Sequence, residues 1–531
     1  MSELDKNEFT RSSFDRNESS FRVRTDDNGE WRAKPVTVSL AAEVPEVRPE
    51  RKHTSFRALG FGLVAAQFIT SALLVVSLIT TNVLHKRLII LITIVLALLA
   101  LLSGAKLLTK KQVSKPTKVA CTIISLACIA GSIVAFRYSN AFNGFLDKIT
   151  TRKETKQYSV MVMTNSNINK IEELASKSAG FLKTDTKAGN AEQYLQDKVK
   201  FESDFYDDLD TMAGVLNGKI VDAIVLESDR IEMFKEEAAD SVKDTQIIYT
   251  FEIELDADDV EIVEKEVTEE PFVLYISGSD SRNGIKATAR SDVNILAVVN
   301  PKKAKILLVS IPRDTYVQLH GTTGIKDKLT HAGVYGINMS KTTIEDFLGI
   351  KIDYTAKVSF DTVVKVVDEL NGIEIDSDTA MDLDVEGNKA KRCKYVVGKQ
   401  QVDGDCALRF ARERKSYKNG DHHRGENQQQ VIASIISKLS SSKDYLLRLP
   451  NILDIAANSF ETSLTRDDIS SFIRMQLNNN INWEVESISV DGTGSMQGTY
   501  SMGANRPLYV MIANPDSVSA ATAKINQYLS D

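Results

Sequence analysis

Arg290-Ser-Asp-Val-Asn-Ile-Leu-Ala-Val-Val-Asn-Pro-Lys-Lys-Ala-Lys-Ile-Leu-Leu-Val-Ser-Ile-Pro-Arg-Asp314 holds two β-rich apolar runs, Val293 to Val299 and Ala304 to Ile311, separated by the polar turn Asn300-Pro-Lys-Lys. Two such runs across a short turn read as an antiparallel hairpin. In a hairpin the start of one strand lies beside the end of its partner, so Asp292 and Arg313 are expected to be neighbours. A third run, Phe272-Val-Leu-Tyr-Ile-Ser277, belongs to the same sheet core. If it runs parallel to the strand ending at Ile311, Asp280 reaches the same edge. That edge then gathers Asp280, Arg282, Arg290, Asp292, Arg313 and Asp314.

A second cationic stretch lies downstream, with Arg412, Arg414, Lys415, Lys418 and Arg424 in a chain whose formal net charge is −7. Val431, Ile432, Ile435, Ile436 and Leu439 repeat with helical spacing, so a helix is expected over roughly 424–440, with Asp421 near its start. Arg424 and Gln428, four apart, lie on one face, and an arginine near a helix N-terminus calls for a nearby anion. Arg412 and Arg414 share a face if their segment is extended. A planar guanidinium binds phosphate oxygens in pairs, which suits a converging set to a pyrophosphate. Asp280 and Asp292 are suited to Mg²⁺, a hard cation that commonly uses one or two carboxylates plus phosphate oxygens. Each arginine taken alone reads equally as a surface salt bridge.

With 531 residues, the chain exceeds what one core usually serves. Residues 1–56 are polar, with too little apolar surface to fold alone, and read as a disordered tail. In 57–137, three uncharged runs, Ala58 to Thr80, Leu88 to Ala105 and Val119 to Phe136, each approach the ~20 residues a helix needs to cross a bilayer. Arg48, Arg51, Lys52 and Arg57 precede the first run, and Lys106, Lys110, Lys111, Lys115 and Lys118 separate the second from the third. By the positive-inside rule both groups are cytoplasmic, which puts the N-terminus inside and everything beyond about residue 140 outside. Cys393 and Cys406 then lie where oxidation is permitted, and a disulfide is expected, two separate buried thiols being the alternative.

Residues 150–256 alternate strand and helix patterns: strands at 158–163 and 222–226, helices at 168–177 and 206–216. They read as a small α/β domain, either a spacer or a binding unit. An acidic segment, 257–270, suits a linker or edge strand. The main domain is expected at 271–445, with 446–531 packing on it. Asp491-Gly-Thr-Gly-Ser-Met-Gln-Gly498 lacks a Lys-Ser/Thr signature and reads as a flexible turn.

Gly278-Ser-Asp-Ser-Arg282, Arg290-Ser-Asp292, Ser310-Ile-Pro-Arg-Asp-Thr315, Lys328-Leu-Thr-His-Ala332 and Ala407-Leu-Arg-Phe-Ala-Arg-Glu-Arg414 with Arg424-Gly-Glu-Asn-Gln428 resemble, in order, the motifs of the LytR-CpsA-Psr (LCP) family. The three spans and extra domain look like its streptococcal capsule-type branch. The resemblance implies a membrane-anchored α/β protein whose LCP domain has a central mixed β-sheet flanked by helices. It also implies a Gram-positive cell membrane and an extracytoplasmic catalytic domain. The implied activity is Mg²⁺-dependent phosphotransfer of a capsular polysaccharide or teichoic acid from a polyprenyl-pyrophosphate carrier to peptidoglycan.

Carried across residue by residue, Asp280 and Asp292 look like the metal carboxylates. Arg290, Arg313, Arg412, Arg414, Arg424 and Gln428 look like the pyrophosphate clamp, with Lys328 assisting. Arg313, Asp292 and Asp421 are the candidate catalytic residues, Asp421 as base or, in the plain reading, as N-cap of its helix. Asn427 departs from the arginine that members often carry there. The implied partners are the glycan-lipid, peptidoglycan, the membrane and the wall-polymer or capsule synthesis machinery. No nucleic acid is expected. The rival classes are a glycan-lipid receptor without chemistry and a pyrophosphate hydrolase. The prenyl chain needs an apolar groove, sought around Ile432 and Ile435.

Overall fold

Three helices open the chain: α1 (His53–Thr81), α2 (Lys86–Leu107) and α3 (Lys115–Thr150). The computed structural model describes residues 53–109, 113–150, 153–256, 265–279, 289–385, 388–418, 420–441 and 459–530. All three helices are long and apolar enough to cross a membrane. At 36 residues α3 is ~54 Å long, well beyond the ~30 Å of a hydrocarbon core. Its last turns bury Phe142, Leu146 and Ile149 against Phe460, Ile469 and Ile473.

The next unit is a five-stranded sheet in the order β3-β2-β4-β1-β5. Its strands are β1 (Lys153–Met163), β2 (Ser178–Leu182), β3 (Glu202–Tyr206), β4 (Ala223–Glu227) and β5 (Thr245–Asp256), with helices α4 (Ala188–Gln196), α5 (Leu209–Asn217) and α6 (Ser228–Glu237). The helix expected over 168–177 is absent: a single 3₁₀ turn at Ile171–Leu174 leads straight into β2. The helix expected from 206 begins instead at Leu209, where the Asp208 side chain caps the Thr211 amide, and Tyr206 ends β3.

The main sheet has six strands. In chain order they are β6 (Phe272–Ser279), β7 (Val293–Asn300), β8 (Lys305–Ser310), β9 (Tyr354–Ser359), β10 (Phe460–Thr462) and β11 (Glu484–Ser489), and they lie in the order β10-β9-β6-β7-β8-β11. The sheet is mixed: β6, β7 and β8 pair antiparallel, while β9–β6 and β8–β11 are parallel. Side chains sort by alternation. Val273, Tyr275, Leu296, Val298, Leu307 and Val309 face one core, under the helices Ile337–Leu348 and Pro515–Ser530. Phe272, Leu274, Ile295, Ala297, Val299, Ile306 and Leu308 face the other. Every residue of β7 is buried, as a strand covered on both faces requires.

The glycine-rich segment near 492 is a strand, Gly492–Thr499, paired with Gly503–Ala513, so the flexible turn expected there is not found. This hairpin also touches the smaller domain. Met502 and Leu508 enter the core around Met212 and Phe234, and Arg506 Nε donates to Asp210 Oδ1 at 2.9 Å. The two sheets are thereby held against each other through apolar and polar contacts.

Candidate functional site

The strand ends of β7 and β8 bring Asp292 and Arg313 together, with Arg313 Nη1 donating to Asp292 Oδ1 at 2.6 Å. Thr330 Oγ1 donates to the same oxygen at 3.2 Å. The Lys328-Leu-Thr-His-Ala332 segment gets this close because of Gly333. A Cβ there would meet the Ala289 carbonyl oxygen at 2.4 Å and the Ser291 nitrogen at 2.7 Å, backbone atoms that cannot yield.

Arg412 ends helix Gly404–Arg412 and is not in an extended segment; Glu413 turns the chain out with φ −70° and ψ 134°. Its guanidinium carbon sits 5.1 Å from the centre of the Phe360 ring, within cation–π range. The helix is tied by a Cys393–Cys406 disulfide to the strand Asn388–Tyr395, whose Tyr395 hydroxyl donates to the Cys406 carbonyl at 2.7 Å. The following helix, Gly420–Ser441, starts four residues earlier than the apolar repeat suggested. Asp421 therefore lies within its first turn and not ahead of it; the Asp421 side chain lies outside the described residues. Asn427 has a structural use: it is buried, and its Nδ2 donates to the Phe410 carbonyl at 3.0 Å and to the Tyr417 hydroxyl at 3.3 Å, fixing the turn that carries Arg414. Gln429 Nε2 bonds the Leu308 and Ile488 carbonyls at 2.9 and 2.7 Å, fastening the helix to the sheet.

These elements enclose a pocket of about 530 Å³. Its lining includes Arg290, Asp292, Arg313, Arg412, Arg414, Arg424 and Gln428. Lys328 is not among the lining residues: it is buried, with its Nζ 2.8 Å from Glu237 Oε1 and 3.5 Å from Asp314 Oδ1. Asp280, expected at the same edge, lies outside the described residues. Among the described residues, no group of three or more His, Cys, Asp or Glu is placed to hold a metal ion. Asp292 offers a hard carboxylate beside the arginines, and Mg²⁺ bound through phosphate oxygens needs only one or two.

Two carboxylates of α6 reach this edge from the smaller domain. Glu236 takes two bonds from Arg290, at 2.6 and 2.8 Å. The bond from Arg290 holds the Glu236 carboxyl below the usual range despite partial burial. Burial would raise Glu237, but the nearby His331 imidazole and the bond from Lys328 outweigh it and hold it at about 2. His331 is fully buried, with Nδ1 2.6 Å from Asp327 Oδ1 and Nε2 3.9 Å from Glu237 Oε1. Burial pulls its pKa down, but the two carboxylates win and raise it. Asp229 is pushed up to about 6 by burial, against the pull of Lys357 and Arg290.

The sequence reading missed Glu236 and Glu237. The available signal was their place in the last turn of α6, where the helix dipole disfavours anions unless cations are close.

A second cavity, of about 340 Å³, is almost wholly apolar and lies between the sheet and the helix Gly420–Ser441. Leu274, Ile276, Ile306, Ile436, Leu439, Phe472 and Trp483 are among its lining residues. Ile432 packs in the same core, but Ile435 points to the opposite cluster around Val431 and Phe410, so it is no part of this groove. Arg424 and Ile436 are twelve residues apart on one helix, which places the apolar cavity ~18 Å along from the cationic pocket.

A mixed sheet that gathers guanidinium groups beside a carboxylate at its strand ends, with an apolar cavity along one flanking helix, defines an α/β domain with a cationic pocket suited to an anion. The chain belongs to the LytR_cpsA_psr family, whose sequence profile matches residues 233–516. A relative in Bacillus licheniformis, polyisoprenyl-teichoic acid–peptidoglycan teichoic acid transferase TagU, is 33% identical over 271 residues, 49% of this chain and 79% of that protein. The similarly named TagV of Bacillus subtilis is 32% identical over 201 residues, 38% of this chain and 51% of that protein. Among solved structures, TagT bound to LIIa-WTA aligns at 25% identity and a TM-score of 0.41, covering 51% of this chain and 95% of that one. The crystal structure of B. subtilis TagV aligns at 26% and 0.41, covering 49% and 98%.

Proposed function

We propose that this chain is a membrane-anchored transferase that moves an anionic cell-envelope glycopolymer, capsular polysaccharide or teichoic acid, from a polyprenyl-pyrophosphate carrier to peptidoglycan. The observation that carries the reading is the convergence of Arg290, Arg313, Arg412, Arg414 and Arg424 on one pocket, with an apolar cavity along the helix that bears Arg424. A ligand matched to both has a pyrophosphate head and a hydrocarbon tail. The printed names of the relatives, which are teichoic acid transferases, agree with this class. In the proposed orientation the N-terminus is cytoplasmic and both sheets lie outside the cell membrane of a Gram-positive bacterium.

A peptidoglycan sugar hydroxyl attacks the phosphorus nearer the glycan. A new O–P bond forms and the P–O bond to polyprenyl phosphate breaks. The leaving group keeps the electron pair, and the hydroxyl proton passes to a base, for which Asp421 is the candidate. The arginine forks hold the phosphoryl oxygens and stabilise the charge they gain in the transition state. Asp292, with Asp280, would hold Mg²⁺, which when bound supplies further charge neutralisation. Arg313 orients the Asp292 carboxylate through their 2.6 Å bond.

The test uses the full chain in detergent with a short-chain prenyl-pyrophosphate glycan and peptidoglycan oligomers. The expected result is linked product and prenyl phosphate in equal amounts, dependent on acceptor and lost on chelation of Mg²⁺. Prenyl phosphate released without acceptor would make the protein a hydrolase. Binding with no release would make it a receptor.

A further inference from the structure

The pocket is lined by chemically unlike groups from both sheets, and most of those from the smaller sheet precede the family match. Besides the guanidinium groups it is lined by a wall of the smaller domain: Gln157 and Ser159 of β1, Thr250 of β5, and Ser228, Asp229 and Glu232 of α6. All but Thr250 precede residue 233, where the family match begins, and Thr250 too belongs to the smaller sheet. Ser228 Oγ donates to Gln157 Oε1 at 3.0 Å, and the Ser159 and Thr250 hydroxyls are 3.0 Å apart. Ser159 is buried and also lies 3.4 Å from the Ser228 hydroxyl, so it braces the set, while Ser228 and Thr250, with one donor and two acceptor positions each, keep capacity for a ligand. Ile247, 46% exposed, sits beside them as an apolar platform.

Resting on the transferase reading, we infer that this wall of the smaller domain is a sugar-binding subsite that takes the uncharged ring joined directly to the pyrophosphate. A pyranose ring presents hydroxyls at its rim and C–H groups on its faces, which match these polar groups and Ile247. The charges select the orientation. Carboxylates at 229 and 232, the latter 2.9 Å from Lys235 Nζ, disfavour phosphate or uronate beside them, while the arginines attract phosphate. A ligand spanning both walls is therefore anionic at one end and neutral and hydroxyl-rich at the other. The volume of about 530 Å³ is of the size that holds small-molecule ligands. The arginine wall supplies the phosphoryl chemistry, and the added domain selects which first sugar reaches it.

The test measures binding to the full chain in detergent of two probes: a short prenyl pyrophosphate, and the same lipid carrying one N-acetylhexosamine. Glu232→Gln and Asp229→Asn should each weaken the sugar-bearing probe by about tenfold, as expected for losing a charge-assisted bond to a hydroxyl. Binding of the bare probe should not weaken in either variant, because the carboxylates removed disfavour phosphate, and this also reports that the fold is intact. Equal effects on both probes, or none on either, would overturn the subsite while leaving the transferase reading standing. Wild-type protein that binds neither probe would overturn both.

Discussion

Glu236→Gln tests whether the smaller domain competes for the same cation as the ligand. Glu236 grips Arg290 through two bonds at 2.6 and 2.8 Å, with the arginine side chain 14% exposed and the glutamate 57% exposed. A pyrophosphate that uses the Arg290 fork must first displace this carboxylate. A pair with one partner largely in solvent is worth about 0.5–1 kcal/mol, so removing its charge should tighten prenyl pyrophosphate binding about two- to fivefold. Salt screens an exposed pair, so the gain should shrink at high ionic strength. Titration calorimetry on the full chain in detergent, at low and high salt, reads both effects. If the glutamine variant binds more weakly, Glu236 positions Arg290 for the ligand and does not compete with it, and the reasoning fails.

Arg313→Lys keeps the charge but loses the planar fork, and Arg313→Ala loses both. Transfer should fall about 100- to 1,000-fold in the alanine variant, with lysine recovering only part; full recovery by lysine would remove the case for paired recognition of phosphate oxygens. The contacts around His331 and Glu237 make stability depend on pH. His331, raised in the fold, contributes fully below its unfolded value of about 6.5 and loses that contribution as pH rises through the folded value. Glu237, held at about 2, contributes above about 4.5 and loses this only as pH falls through about 2. Thermal unfolding should therefore move to lower temperature on the alkaline side, and His331→Gln should flatten that slope; an unchanged slope counts against the assignment. Reducing the Cys393–Cys406 bond, which spans thirteen residues, should cost about 3 kcal/mol by denaturation, and no loss would show that the arginine-bearing helix holds its place without it.

The hairpin was legible because two continuous apolar runs flank a four-residue turn, and the register that so short a turn imposes sets Asp292 beside Arg313. Arg412 and Arg414 share a face only on an extended segment, and that condition is not met: the helix ending at Arg412 is stabilised by a disulfide and by burial of Ala407 and Phe410. The strand Gly492–Thr499 was missed because glycine, serine and glutamine give no alternation, and its stability comes from its partner strand. Lys328 carries the same charge as the clamp arginines, and nothing local in the sequence tells that Glu237, ninety-one positions away, turns it aside. The polar wall was out of reach for a similar reason: Gln157, Ser228 and Thr250 meet only because β1 lies between β4 and β5.

The seat of the main domain on α3 bears on how the lipid arrives. Arg466 donates to Asp147 Oδ1 and Asn143 Oδ1, each at 2.6 Å, so helix Arg466–Asn479 is moored to the end of the third apolar helix. Its Ile469 and Ile473 pack on that mooring and also line the apolar cavity. In the proposed orientation the cavity opens next to the leaflet in which the carrier diffuses, and encounter becomes a search in two dimensions. Occupancy is then governed by lipid per unit area of membrane. A fragment cut free after Thr150 would lose both that supply and the packing under the cavity's Ile469 and Ile473.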